Sequence, residues 1–173
     1  MNRRALLSVG GSGLAASLSG CLSSLPFGGG PPEVREASGP APARLQPAVP
    51  SLHADSTRAT LVVGDEGDRD EQVWVWNETG EKRTVSIEIG GSAGAEPWFR
   101  ERYDLAAGAN LAIDLREKRD YAIRVSVGDR TKTVEYPESR FDCNATATDV
   151  VIRDGKFEVA SIQTTEGCGG GLW

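Results

Sequence analysis

From about residue 56 onward, apolar and polar residues alternate in short runs separated by turn residues. "ATLVVG" at 59–64 is the first run. "QVWVWN" at 72–77 puts Val73 and Val75 on one side and Trp74 and Trp76 on the other. "TVSIEI" at 84–89 gives Val85, Ile87 and Ile89 one face, with Ser86 and Glu88 opposite. The pattern continues at 98–105 (where Glu101 interrupts the apolar side), 110–115, 121–127, 131–136, 149–153 and 156–162. A period of two marks strands with one buried face, and no stretch holds a helical period beyond two turns. Eight or nine short strands within residues 56–173 predict one all-β domain, an antiparallel two-sheet sandwich. Asp154-Gly155 reads as a two-residue hairpin turn that pairs Ile152 with Phe157 and Val150 with Val159.

Upstream the pattern stops. Seven of the nine prolines and Gly28-Gly29-Gly30 fall within residues 22–55, where apolar residues show no period. Such composition predicts a disordered tether over 21–55, reaching roughly 30–35 Å on average and about 110 Å at full stretch. Residues 1–20 read differently again. Arg3 and Arg4 precede an uncharged, weakly apolar run to Gly20, the layout of an export signal and too short for a membrane span. Paired arginines before a weakly hydrophobic segment suggest the twin-arginine route, which carries folded proteins. Leu18-Ser19-Gly20-Cys21 resembles the lipobox of membrane-anchored lipoproteins. The resemblance implies a lipid on Cys21 as first residue of the mature chain, and a place on the outer face of the cell membrane.

Cysteine count agrees with that reading. With Cys21 lipidated, Cys143 and Cys168 remain as an even pair, normally oxidised outside the cytoplasm. They flank the last hairpin, two residues out of register with it, and a bond between them would contribute about 3.5 kcal/mol in the chain-entropy model. A redox or metal-binding thiol pair is the other reading, without CxxC spacing or a nearby histidine to support it.

Charge narrows the partners. The chain carries 19 basic and 25 acidic residues, a formal charge of −6, an acidic balance that repels nucleic acid backbones and anionic lipid. Arginine greatly outnumbers lysine. Acid excess with scarce lysine, twin arginines and a lipobox together resemble exported lipoproteins of halophilic archaea. The block "FRERYDLAAGANLAIDL" followed by "DYAIRVSV" is similar to immunoglobulin-like domains on archaeal surface lipoproteins, which implies an Ig-like sandwich.

Chemistry is sparse. The one histidine, His53, lies in the tether, so a Ser-His-Asp or Cys-His site in the domain is excluded, as are histidine-bound zinc and blue copper. No cofactor is expected, nor an enzyme. The acidic run "DEGDRDE" at 65–71 reads either as a solvated loop or as calcium ligands without EF-hand spacing. Trp74 and Trp76, with Glu71 and Glu78 beside them, form a candidate binding patch for a protein or glycan if the valines face the core. The other reading buries the indoles, as the core face or beneath a neighbouring loop. Asn77-Glu78-Thr79 and Asn144-Ala145-Thr146 make Asn77 and Asn144 candidate glycosylation sites. The function expected is a membrane-anchored, non-catalytic interaction module. The alternative is a structural, glycosylated envelope component.

Overall fold

The computed structural model describes residues 30–37, 43, 45, 48–49, 51–52, 56–65 and 71–165. The chain divides into two units, Met1–Gly30 and Pro31–Trp173. Apart from Gly30, the first lies outside the described residues.

The second unit is a two-sheet β-sandwich. Its strands are β1 (Val34–Glu36), β2 (Ser56–Val63), β3 (Glu71–Asn77), β4 (Arg83–Gly90), β5 (Phe99–Leu105), β6 (Ala109–Leu115), β7 (Tyr121–Val127), β8 (Arg130–Tyr136), β9 (Thr146–Arg153) and β10 (Lys156–Gln163). Six form one sheet in the order β1-β2-β6-β3-β9-β10, and four form the other in the order β5-β4-β7-β8. One 3-10 turn, Glu138–Arg140, follows β8.

All nine runs of alternating sequence are strands. Two details of the expected sandwich change. The four-stranded sheet is antiparallel throughout, but in the larger sheet β2 pairs parallel with β6, and β3 parallel with β9. Alternation cannot reveal this, because parallel and antiparallel neighbours share the same period of two. The tenth strand, β1, lies inside the segment read as tether. Its three residues are too few to show a period, and only pairing with β2 fixes them, Val34 opposite Val63.

The core follows from the alternation. Val73 and Val75 of β3, Val85, Ile87 and Ile89 of β4, Leu111 and Ile113 of β6, and Ile123 and Val125 of β7 meet between the sheets, each at most 1% exposed. Burying each such side chain contributes about 1.5–3 kcal/mol. The Asp154-Gly155 turn sets β9 and β10 in the expected register, Ile152 opposite Phe157 and Val150 opposite Val159. Gly155 has φ +79°, a conformation that favours glycine. Val159 is nonetheless exposed, because β10 is the edge strand of the larger sheet.

A second apolar cluster covers the outer face of the larger sheet. Val49 and Leu52, from the segment expected to be tether, are buried with Trp74, Trp76, Ala112, Ala147 and Val151, and Leu45 packs beside them. The described parts of residues 31–55 therefore belong to the domain: β1 extends the sheet, and Ala43, Leu45, Ala48, Val49 and Leu52 lie as a strap on its outer face. Proline-rich composition signalled the absence of regular structure. It carried no information about docking, which a few apolar side chains achieve without any period.

Candidate functional site

Trp74 and Trp76 are not an exposed patch. Their valine neighbours face the core, so the indoles point away from it, but the strap leaves them only 3% and 1% exposed. The rings stack with centroids 6.1 Å apart. Both indole nitrogens donate to the sheet's own polar residues: Trp76 Nε1 to Asp149 Oδ1 at 2.9 Å and Trp74 Nε1 to Gln72 Oε1 at 3.0 Å. Those residues also hold the strap. Asp149 Oδ2 accepts from the amide of Ala48 at 2.8 Å, and Gln72 Nε2 donates to the carbonyl of Ala43 at 3.1 Å. The tryptophans are a second core.

Asn77 is equally unavailable. It ends β3 with no exposed surface. Its Nδ2 donates to the carbonyls of Glu81, Leu105 and Ala106 at 2.9–3.0 Å. Its Oδ1 accepts from the amide and hydroxyl of Thr79 at 3.2 and 2.6 Å. The sequon is an Asx turn joining β3 to two loops, and the nitrogen that a glycan would need is spent inside the fold. In the folded domain the Asn77 side chain is therefore buried and fully engaged. Asn144 differs. It lies half-buried in the loop before β9, with its backbone N–H donating to Asp142 Oδ1 at 2.7 Å.

Glu71 overturns its expected place beside the tryptophans. It shares the side of Val73 and Val75, hence points inward, and is 1% exposed. Backbone pairing sets it between Leu115 of β6 and Thr146 of β9. Burial, with a smaller push from the charge of Asp142, outweighs the Thr146 hydroxyl and Arg140, which pull it down, and leaves its carboxyl raised to about 7. Its Oε2 has no hydrogen-bond partner. Position parity within "EQVWVWN" was the available signal, masked by the acidic run to which Glu71 also belongs.

A cavity of about 320 Å³ opens where β4, β7 and β8 end on one side of the smaller sheet. Tyr121 and Tyr136, paired across β7 and β8, form its floor but are 1% and 0% exposed. Gly91 and Ser92, just beyond β4, have little or no side chain and leave the space open. Asp120 and Glu135 line it with carboxylates. Tyr121 is fixed by its hydroxyl, which donates to the carbonyl of Glu117 at 2.8 Å, and by Trp98 and Phe141, whose ring centroids lie 6.4 and 5.8 Å away. Tyr136 donates to the carbonyl of Gln72 at 3.4 Å and carries the Arg140 guanidinium over its ring at 5.3 Å. Glu71 does not line this cavity, so the carboxyl with the raised pKa and the two at the cavity are separate features.

Other expected sites lie outside the described residues: Arg3, Arg4, Cys21, His53, residues 66–70 of the acidic run, and Cys168. Among the described residues, no group of three or more His, Cys, Asp or Glu is placed to hold a metal ion.

No family model matches the chain, and no curated protein matches it. Among solved structures, a Bacteroides ovatus chain described as a "putative cell adhesion protein" is similar over 54% of this chain, at 13% identity and a TM-score of 0.33. The match spans 44% of that chain, less than half its length. A likeness at that score carries no argument, and the fold rests on the strands themselves.

Proposed function

We propose that the protein is a surface lipoprotein, anchored to the outer face of the cell membrane through a lipid on Cys21, that presents its β-sandwich to a protein partner without catalysing a reaction. The twin arginines and the lipobox at 18–21 support export and anchoring, and with the acid-rich composition they resemble lipoproteins of halophilic archaea. The cavity between β4, β7 and β8 is the observation that carries the binding role. It is concave and rimmed by the exposed Asp120, Glu135 and Pro137. Cys143 and Cys168 are proposed to form the disulfide that closes the last hairpin. Thr146 pairs with Gln163 and the Thr164 amide donates to the Ala145 carbonyl, so the hairpin stays closed to within a few residues of both cysteines in sequence, which supports the bond.

The reading is tested by cross-linking on intact cells, affinity capture and mass spectrometry, with Cys21→Ser as the unanchored control. A recurrent partner that disappears in the control is the expected result. Recovery of nothing but abundant envelope proteins would instead favour a structural envelope role, with any glycan on Asn144 and none on Asn77.

A further inference from the structure

We infer that the free edge of β10 pairs with β10 of a second copy of this chain, antiparallel about a twofold axis at Ala160, so that the two larger sheets join into one. The inference goes beyond the partner proposed above and does not depend on the cavity. A sheet edge invites pairing unless something blunts it, usually a short strand or charged side chains. Three of the four edges here are blunted. β1 has three residues. β5 exposes Arg100, Glu101, Arg102 and Asp104, and β8 carries Arg130, Lys132 and Glu135. β10 differs. It runs eight residues in unbroken register with β9, contains no proline, and is uncharged from Val159 to Gln163. Val159 is the one large apolar side chain exposed among the described residues, at 37%.

Backbone direction fixes what this edge can take. Just past the strand, the Thr164 amide donates to the Ala145 carbonyl at 2.9 Å, and bonding partners alternate along an antiparallel pair. The even-numbered residues of β10 therefore bond to β9, while Phe157, Val159, Ser161 and Gln163 turn their N–H and C=O groups to the free edge. Among the described residues, nothing bonds to them on that side. An extended strand supplies donors and acceptors at that spacing.

Register and charge select this chain's own strand. With Ala160 at the axis, Phe157 meets the partner's Gln163 and Val159 meets the partner's Ser161, so all four outward residues are used. A centre at Val159 would set Gln163 against the partner's Gly155, in the turn, and a centre at Ser161 would carry Phe157 past the strand end. Ala160 is small enough for close approach at the axis, and the two Val159 side chains become diagonal neighbours on one face. The chain carries a formal charge of −6, so two copies repel wherever carboxylates face each other. Here Glu158 falls opposite the partner's Ile162 and Lys156 opposite the partner's Thr164, with no charge between. The contact is small, which makes the dimer weak and reversible.

The full chain carrying Cys21→Ser is followed by sedimentation velocity over a wide range of concentration. The expected result is a reversible equilibrium of monomer and dimer. Val159→Pro removes one outward N–H without touching the bonds to β9, and abolishes the dimer while the thermal midpoint stays within a few degrees. Val159→Lys keeps the backbone, brings two like charges together near the axis, and weakens the dimer about tenfold or more at low salt. If the proline variant fails to fold, the lysine variant decides alone. Ala160→Cys forms a disulfide-linked dimer on mild oxidation, above the background of the parent chain with Cys143 and Cys168, whereas Lys156→Cys, far from its own copy along the strand, does not. A chain that stays monomeric, a dimer that survives Val159→Lys unweakened, or cross-linking at Lys156→Cys as readily as at Ala160→Cys overturns the inference.

Discussion

Replacing Glu71 by glutamine should make the domain more stable, by an amount that grows with pH. The carboxyl is buried between β6 and β9, its Oε2 lacks a partner, and burial raises its pKa from 4.5 to about 7. A raised acid favours the folded state only while protonated. Below the unfolded value of about 4.5 both states hold the proton, and the shift costs nothing. Between about 4.5 and 7 the native state binds more protons than the unfolded one, so stability falls as pH rises. Above 7 the cost levels off at roughly 3 kcal/mol, about 1.4 kcal/mol for each pH unit of displacement.

Glutamine has nearly the same shape and no proton to lose. Glu71→Gln should therefore match the parent near pH 4.5 and exceed it by about 2–3 kcal/mol at pH 8. That corresponds to roughly 10 °C in thermal midpoint for a domain of this size. The assay is urea or thermal unfolding of both proteins at half-unit steps from pH 4.5 to 8.5. Comparing the difference at each pH cancels the other carboxylates, including Glu88, which the Arg100 and Arg124 side chains hold below the usual range. A stability difference that stays flat across this window would refute the reasoning. So would a glutamine variant that is weaker at pH 8, because the carboxylate would then have partners stronger than its burial.

Four further outcomes are expected. Asp149→Ala removes the acceptor of Trp76 Nε1 and of the Ala48 amide. It should cost about 2–4 kcal/mol in urea unfolding, since buried donors are left unpaired, and tryptophan emission should shift to the red as the strap loosens. Asn77→Ala leaves three carbonyls and Thr79 without their shared partner and should cost about 3 kcal/mol or more. The intact mass of the exported protein should lose any glycan with Asn144→Gln alone. Cys143→Ser should lower stability by about 3–4 kcal/mol and leave Cys168 reactive toward a thiol reagent under denaturing conditions, whereas an unchanged unfolding midpoint would dissolve the proposed bond.

The sequence by itself determined the strands. Alternation is a local property, so each run from 59–64 to 156–162 declared its structure, and the Asp154-Gly155 turn set the register of β9 against β10. It also put Val73 and Val75 opposite Trp74 and Trp76 on β3, but which side meets the core, and with it the inward direction of Glu71, was decided by the fold. What covers a side is another matter. The tryptophans point outward as alternation allows, yet they are buried by Val49 and Leu52, which reach them from a segment without period. Asp149 and Ala48 are 101 positions apart, and Asn77 finds Ala106 across 29. Pairings of that kind leave no trace in a window of neighbouring residues. Parallel pairing of β2 with β6 and β3 with β9 is likewise a matter of how the chain returns to the sheet. The cavity belongs to the same class: Gly91, Asp120 and Glu135 are unremarkable where they stand in the chain, and only the ends of three strands make them one site.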